Sequence, residues 1–154
     1  MRLLFVHPGP LLYTRVFLRL EPLGLELVAE AARRAGHAVK ILDLQVEHHD
    51  DYRRMIADWR PDFIAFSCNY LANVPEIIDL AKETKSVLPR CFICVGGHSA
   101  SFTAHAIVEH GAGAIDCVLK GEGESSITKL LEAVEGDRDS VAKVPGAVTA
   151  EGEG

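Results

Sequence analysis

The sequence predicts an α/β domain in which a parallel sheet lies between two layers of helices, a three-layer fold of the Rossmann type. Short and nearly continuous apolar segments, suited to strands buried on both faces, alternate with longer segments of helical periodicity. The length of 154 residues suits one domain, and 48% hydrophobic with 25% charged residues is ordinary for a globular protein.

Five apolar segments rich in β-branched residues are the predicted strands. They lie at residues 2–6, 38–44, 62–68, 91–97 and 115–121. The segments between them supply the right-handed crossovers that parallel strands need. Five such strands favour the flavodoxin-like order 2-1-3-4-5.

Five further segments are predicted helices, at residues 22–36, 50–60, 73–89, 101–111 and 124–136. In the first, apolar residues recur every four positions, at Leu23, Leu27, Ala31 and Ala35, and predict the buried stripe. Asn73 is expected to cap the third helix. The last helix is expected to end the domain at residue 136.

Residues 137–154 are polar and rich in glycine around one short apolar piece, VPGAVTA. We expect them to form a linker or a short strand that leads out of the domain of residues 1–136.

Charge and composition exclude several classes of partner. The net charge of −6 disfavours nucleic acid and anionic lipid as partners. No apolar stretch approaches the roughly 20 residues of a membrane span. The first residues lack the features of a signal peptide, so we expect a cytoplasmic protein.

Cys91 and Cys94 form a C-x-x-C pair that could indicate a metal or redox site. They lie within a predicted strand, where residues three apart point to opposite faces. We therefore expect these two, with Cys68 and Cys117, to be buried and unreactive thiols, and we expect no metal site.

Four segments rich in glycine and small polar residues follow the predicted strands, at residues 7–10, 67–73, 96–100 and 120–124. In such sheets, ligands bind beyond the carboxyl ends of the strands. The doublet Gly96-Gly97 indicates either a tight turn with positive φ or bare backbone against a flat ligand. Both interpretations stay open from the doublet alone.

Common phosphate-binding motifs are absent. The first strand is followed by neither G-x-G-x-x-G nor a P-loop, and the acidic cluster of a phosphoacceptor receiver domain is missing. Flavin remains possible, although the long first loop offers only Tyr13, Thr14 and Arg15 as polar candidates.

Several segments together resemble the N-terminal cobalamin-binding domain of cobalamin-dependent radical SAM enzymes, in order and over nearly the whole chain. They include EPLGLELVAEAARRAGHAVKILDLQ, PDFIAFSCNYLANVPEIIDLAKETK, VGGHSA and GAIDCVLKGEGESSITKLLEAV. The segments RVFLRLEPLGLELVAE and FSCNYLANVPEI are most similar to members that methylate the A-ring of bacterial hopanoids.

The resemblance implies cofactor-binding positions at each strand end. The loop that lines the cobalamin matches Gly96, Gly97 and His98. The serine that hydrogen-bonds the nucleotide tail matches Ser67, and the residues that face the lower side of the cobalt match Asn69, Tyr70 and Leu71. The rim of the tail pocket matches Gly121, Glu122 and Gly123, and the short motif after the first strand matches His7, Pro8 and Gly9.

The sequence departs from the cobalamin mutases and methionine synthase, whose D-x-H-x-x-G motif supplies a histidine to the cobalt. No such motif follows the first strand here. The resemblance therefore implies cobalamin bound with its base displaced and no protein histidine on the cobalt, and His7 is interpreted as structural. The remaining histidines outside the site, His37, His48, His49, His105 and His110, are expected to be solvated on the far face.

The C-x-x-x-C-x-x-C motif that holds an iron–sulfur cluster is absent. The resemblance implies that S-adenosylmethionine and a 4Fe–4S cluster belong to a following radical SAM domain of the same protein, which would be the methyltransferase. This segment alone would carry no catalytic residue and would bind methylcobalamin as the methyl carrier. A stand-alone flavodoxin-like module that binds flavin or regulates a partner remains the alternative, as does a purely structural domain.

Overall fold

The computed structural model describes residues 1–10 and 21–154 and contains a six-stranded sheet. The strands are β1 (Arg2–His7), β2 (Ala38–Asp43), β3 (Phe63–Ser67), β4 (Phe92–Gly96), β5 (Cys117–Leu119) and β6 (Ala147–Val148). Their order is β2-β1-β3-β4-β5-β6, with parallel pairing except between β5 and β6. The predicted order of five parallel strands is confirmed, and an antiparallel edge strand is added to it.

In the described part of the chain, six α-helices connect or follow the strands. They are α1 (Leu23–Arg34), α2 (His49–Arg54), α3 (Val74–Val87), α4 (His98–Phe102), α5 (Ala104–Gly111) and α6 (Gly123–Gly136). A π-helical turn, Met55–Trp59, continues α2, and short 3-10 turns lie at Leu71–Asn73 and Arg138–Lys143. The prediction of one helix over residues 101–111 was wrong, because Thr103 has non-helical backbone angles (φ −126°, ψ 24°) and separates α4 from α5.

The sheet is buried on both faces, as the apolar strands predict. On one face, residues such as Leu3 and Phe5 pack against α1 and α6. On the other, residues such as Leu4 and Val6 pack against α2, α3 and α5. Alternate residues of each strand therefore belong to different cores.

The predicted buried stripe of α1 was wrong. Leu23 and Leu27 are 61% and 48% exposed, whereas Leu25, Ala29 and Ala32 are buried against the sheet. Apolar residues occur on more than one side of this helix, so two different stripes have helical spacing. The stripe that contains Leu25 packs against the sheet, and the stripe that contains Leu23 and Leu27 does not.

Asn73 precedes α3 but does not cap it. Its side-chain amide donates instead to the carbonyl oxygen of Gly9, at 3.1 Å, in the loop after β1. The predicted cap was wrong because a tertiary hydrogen bond takes the side chain away from the helix terminus.

Residues 137–154 fold back onto the sheet. Val141 and Val144 are buried against the α1 and α6 layer, and β6 pairs with β5. The apolar piece of this segment thus forms the short strand and adds to the core. No helix within residues 1–10 and 21–154 combines the length and hydropathy that a membrane crossing requires.

All four cysteines are buried and free, as predicted. Cys91 belongs to one core and Cys94 to the other, so the two thiols of the C-x-x-C pair lie on opposite faces of the sheet. Burial raises the pKa of Cys68 to about 11 and that of Cys91 to about 12. Within the described part of the chain, no group of three or more acidic, histidine or cysteine side chains could hold a metal ion.

Candidate functional site

A cavity of about 410 Å³ opens at the carboxyl edge of β3, β4 and β5. It is lined by these strands on one side and by α1 and α6 on the other, so it runs down between the sheet and one helical layer. Its volume falls within the roughly 300–1,000 Å³ that is usual for small-molecule sites.

The strand register explains why this space exists. On the face covered by α1 and α6, Phe63 of β3 lies opposite Phe92 of β4, and their rings stack with centroids 5.6 Å apart. The next pair toward the carboxyl edge is Ala65 with Cys94, and the last is Ser67 with Gly96. Because the side chains become smaller toward the carboxyl edge, the face has room for a slot at that edge, beyond the aromatic pair.

The helical wall of the slot is apolar and close-fitting. Leu25 and Val28 of α1 face it, together with Ile127 of α6 and Leu119 of β5. A Cβ atom at Gly123 would lie 2.8 Å from a methyl group of Val28. The absence of a side chain at Gly123 therefore allows α1 and α6 to approach each other beside the slot.

Polar side chains collect at the mouth of the cavity rather than in its depth. They are Ser67, Asn69, His98, Ser101, Glu122 and Glu124.

Hydrogen bonds tie the loops at the mouth together. The Ser101 hydroxyl donates to the carbonyl oxygen of Gly97 (3.2 Å) and accepts from the amide of Gly121 (3.2 Å), which joins the loops after β4 and β5. The Ser99 hydroxyl donates to the carbonyl oxygen of Asn69 (2.7 Å), which joins the loops after β3 and β4. The mouth is thus built from three connected loops.

The two glycines of the doublet have different roles. Gly97 has a φ of 105°, and a Cβ atom there would lie 2.9 Å from the carbonyl oxygen of Cys68. The turn itself therefore requires glycine at this position. Gly96 ends β4 with space around it, since its nearest neighbour to an added Cβ would be the carbonyl oxygen of Leu119 at 3.7 Å. Gly96 leaves the cavity wall bare, so the tight-turn interpretation applies to Gly97, and contact of Gly96 with a flat ligand stays a prediction.

The structure brings most of the predicted site residues together. Those that line the cavity are Ser67, Asn69, Gly96, Gly97, His98, Gly121, Glu122 and Gly123. Tyr70 and Leu71 do not line it; they follow Asn69 in the chain and are 57% and 54% exposed. Whether these residues contact a cofactor stays a prediction.

Sequence reasoning missed the deeper lining, which includes Leu25, Val28, Ala65, Cys94, Leu119 and Ile127. Two of these could have been found, because Ala65 and Cys94 lie two residues before Ser67 and Gly96 and share their face. The residues from α1 and α6 carry no local signal, since they resemble ordinary core positions.

Sequence reasoning also missed Phe102, which forms an aromatic pair with the predicted residue His98 at the mouth of the cavity. Phe102 lines the cavity opening and is 77% exposed. The ring of His98 packs against it edge to face, with centroids 5.1 Å apart.

The predicted residues after β1 form a separate cluster away from the cavity. The amide of Gly9 donates to both carboxylate oxygens of Glu76, each at 3.1 Å, and Nε2 of His49 lies 2.8 Å from the same carboxylate. His7 is buried and its Nε2 lies 2.7 Å from the side-chain amide of Gln45. Pro8 lies between these two anchored residues. The candidates Tyr13, Thr14 and Arg15 fall in residues 11–20, outside the described part of the chain.

Burial lowers the pKa of His7, against the opposing charges of Asp43 and Glu76. Its Nδ1 atom has no hydrogen-bond partner within the described residues. A buried and neutral imidazole is consistent with the structural role expected for His7.

The expectation that the other histidines are solvated on the far face was wrong for two of them. The side chain of His37 is only 10% exposed, and its Nδ1 lies 3.3 Å from the N-terminal amine. His49 is half exposed but lies at the carboxyl edge beside Gly9, through its contact with Glu76. Both had been assigned from helix and turn patterns, which carry no information about tertiary contacts.

A Rossmann-type sheet with a slot at the carboxyl edge of its central strands is typical of domains that bind a nucleotide-containing cofactor. The profile of the B12 binding domain family matches residues 10–131 of the chain. The chain therefore belongs to the B12-binding domain family.

Relatives of known sequence and structure agree with this assignment. The hopanoid C-3 methylase of Methylococcus capsulatus is 60% identical over all 154 residues, and the chain spans 30% of the length of that protein. The sequence resemblance to this enzyme is thereby confirmed. The solved structure of the cobalamin-dependent S-adenosylmethionine radical enzyme OxsB with aqua-cobalamin bound matches 99% of the chain and 21% of its own, with a TM-score of 0.78 and 22% identity.

A cobalamin-binding protein from Desulfitobacterium hafniense has the same fold, with a TM-score of 0.64 and 10% identity. That match covers 85% of this chain and 57% of the solved one. At these identities the two solved structures establish the fold alone.

Proposed function

We propose that this domain binds cobalamin with the nucleotide tail withdrawn from the cobalt and inserted into the slot between the sheet and the α1 and α6 layer. The observation that carries the proposal is the slot itself, which is deep, apolar and open at the carboxyl edge. A flat aromatic base would fill it, and the corrin ring would lie over the mouth beside Gly96 and His98.

The lining suits each part of the tail. The apolar walls match the dimethylbenzimidazole ring, and the polar mouth matches the ribose and phosphate. Ser67 lines the cavity and its hydroxyl donates no hydrogen bond among the described residues, so we propose that it donates to the tail. This agrees with the role that the family resemblance implies for Ser67.

No histidine of the loop after β1 would reach the cobalt, because residues 8–22 contain none. His7 is engaged by Gln45 and lies outside the cavity lining. We therefore propose that the loop after β1 supplies no histidine ligand to the cobalt, and that Asn69, Tyr70 and Leu71 face the lower side of the corrin.

The identity of 60% to hopanoid C-3 methylase supports a parent protein that methylates hopanoids at C-3. Since the chain spans 30% of that methylase, S-adenosylmethionine and the 4Fe–4S cluster would belong to a radical SAM domain in the remaining length. Cobalamin supplies the transferable methyl group when bound, and the residues described here bind and orient it. The domain would thus act as a methyl carrier and catalyse no step by itself.

Cofactor retention tests this proposal. The chain is incubated with hydroxocobalamin, desalted and examined by absorbance, and it is expected to retain corrin bands of the base-off form. Gly96→Val is expected to abolish retention, because valine suits a strand but would occupy the bare wall. Gly136→Val is the matched control, since a Cβ there meets nothing within 4 Å and Gly136 ends α6 outside the cavity lining.

Failure of the unaltered chain to retain cobalamin would overturn the proposal. Retention of flavin instead would support the stand-alone flavin-binding module. Equal retention by Gly96→Val and the unaltered chain would remove the slot from the binding site.

A further inference from the structure

We propose that the slot selects cobamides by their lower base, accepting a benzimidazole and discriminating against a purine such as adenine. This inference rests on the proposed insertion of the nucleotide tail. It concerns which members of the cobamide class the domain takes, and it follows from where the cavity has polar groups and where it has none.

Among residues 1–10 and 21–154, the side chains that line the depth of the slot offer a ligand no oxygen or nitrogen. The side chains that line it there are Leu25, Val28, Ala65, Cys94, Leu119 and Ile127. The backbone groups of the strands are engaged in the sheet, since Ala65 pairs with Cys94 and Cys94 with Cys117. The backbone hydrogen-bonding groups that the described strands bring to the depth of the slot are therefore already engaged.

The thiol of Cys94 does not change this. Its Sγ donates to the carbonyl oxygen of Val95 at 3.9 Å, and the neighbouring Cys117 thiol together with burial raises the pKa of Cys94. Cys94 therefore presents a neutral and largely apolar surface to the slot.

The polar groups lie about two residues nearer the solvent. Ser67 follows Ala65 by two positions on β3, which places it about 6.6 Å farther along the strand. Asn69 and Glu122 also line the cavity from loops, and Ser101 and Glu124 line it from α4 and from the first turn of α6. They could hydrogen-bond the ribose and the phosphate, but a base inserted more deeply would lie beyond their hydrogen-bonding distance.

The two classes of base differ in how many polar atoms they would bring into the slot without a hydrogen-bond partner. Dimethylbenzimidazole carries methyl groups that suit apolar walls. Adenine carries an exocyclic amine and additional ring nitrogens, which would lose water and find no partner in the slot. An apolar pocket rejects an added polar group by about 10- to 100-fold, and we expect discrimination of this size.

Absorbance titrations with three corrinoids test the inference. Cobalamin, adeninylcobamide and cobinamide, which lacks the nucleotide tail, are each titrated into the 154-residue chain. Cobalamin is expected to bind most tightly, adeninylcobamide about 10- to 100-fold more weakly, and cobinamide more weakly than cobalamin.

A substitution that adds a hydroxyl to the wall should relax the selection. Val28→Thr conserves shape, and in the free protein its hydroxyl can donate within α1 to the preceding turn, so the fold is expected to persist. We expect the ratio of the two dissociation constants to fall several-fold. Val87→Thr is the matched control, because Val87 ends α3, is 45% exposed and lies outside the cavity lining; it should leave the ratio unchanged.

The outcomes separate the inference from the proposal beneath it. Equal affinity for cobalamin and adeninylcobamide, with weaker binding of cobinamide, would overturn the base selection and leave tail insertion standing. Cobinamide that binds as tightly as cobalamin would overturn tail insertion, and no binding of any corrinoid would overturn the proposed function. An unchanged ratio in Val28→Thr would contradict selection by the α1 wall.

Discussion

At the scale of single residues, the site depends on glycines that act for different physical reasons. Gly97 makes a backbone turn that a side chain would obstruct, whereas Gly96 keeps a wall of the cavity free. The two positions are adjacent, so the sequence shows one doublet where the structure shows two functions.

Gly97→Ala is expected to destabilise the fold, because alanine at a φ of 105° is strained and its Cβ would press on the carbonyl oxygen of Cys68. We expect a loss of about 2–4 kcal/mol in the free energy of unfolding, measured by urea denaturation. Gly113→Ala is the control, since Gly113 also has a positive φ but open space around it. Equal losses in both variants would contradict a steric role for the Cys68 carbonyl.

Phe102 offers a test of the cavity mouth that spares the fold. The side chain is 77% exposed and packs on His98, so Phe102→Ala should leave the free energy of unfolding unchanged. Loss of the aromatic surface is expected to weaken cobalamin binding about threefold to tenfold in an absorbance titration. Val87→Ala removes an exposed apolar side chain from α3 and should change neither quantity. Unchanged binding in Phe102→Ala would place the cofactor away from this rim.

His7 is expected to make stability depend on pH. Burial lowers its pKa in the folded protein, while the unfolded chain keeps the ordinary value of about 6.5. Below that value the unfolded state binds more protons, so the free energy of unfolding falls as the pH falls. His7→Gln should therefore lose less stability than the unaltered chain between about pH 7 and about pH 5.5, measured by urea denaturation. Identical losses would show that His7 does not titrate differently in the two states.

At the scale of elements, strand register determines the site. The side chains on one face of β3 and β4 shrink from a stacked Phe63 and Phe92 pair to Ser67 and Gly96 at the edge. The slot is a property of paired strands and belongs to neither strand alone.

One ion pair connects α3 with β4 and with the residue that precedes β5. Nζ of Lys85 in α3 lies 2.7 Å from a carboxylate oxygen of Asp116 and 2.8 Å from the carbonyl oxygen of Cys91, and the same carboxylate accepts from the amide of Ile93 in β4.

Asp116→Ala should lower the free energy of unfolding by about 1–3 kcal/mol, since it leaves a partly buried ammonium and an amide without their acceptor. Glu30→Ala removes a carboxylate from an exposed pair with Arg33, and no measurable change is expected there. A comparable effect of both substitutions in urea denaturation would contradict the structural role of the Lys85–Asp116 pair.

The elements themselves could be predicted with uneven success. The strands were located to within about two residues at each end, because a run buried on both faces leaves a strong apolar signal. The predicted buried face of α1 was wrong, because Leu25 is buried and Leu27 is exposed. Apolar residues occur on several sides of that helix, so its sequence does not show which side is covered. Periodicity identifies a helix more reliably than it identifies which side of the helix is covered.

At the scale of the whole molecule, the location of the candidate site followed from topology. Parallel strands bring Ser67, Gly96 and Gly121 to one edge, and the predicted order placed them side by side. The helical wall could not be predicted, because Val28 and Ile127 come to line one cavity only when α1 and α6 pack against the sheet and against each other. The packing of residues 137–154 could not be predicted either, because the segment is mostly polar and only a few of its residues are buried and extend the sheet.

A crystal structure of the chain with cobalamin tests the central claim most directly. The claim predicts the dimethylbenzimidazole between Val28 and Ile127 on one side and Ala65 and Cys94 on the other, above the stacked pair of phenylalanines. The corrin would lie over Gly96. Cobalamin with its base still coordinated to the cobalt, or bound anywhere that leaves this slot empty, would contradict the claim.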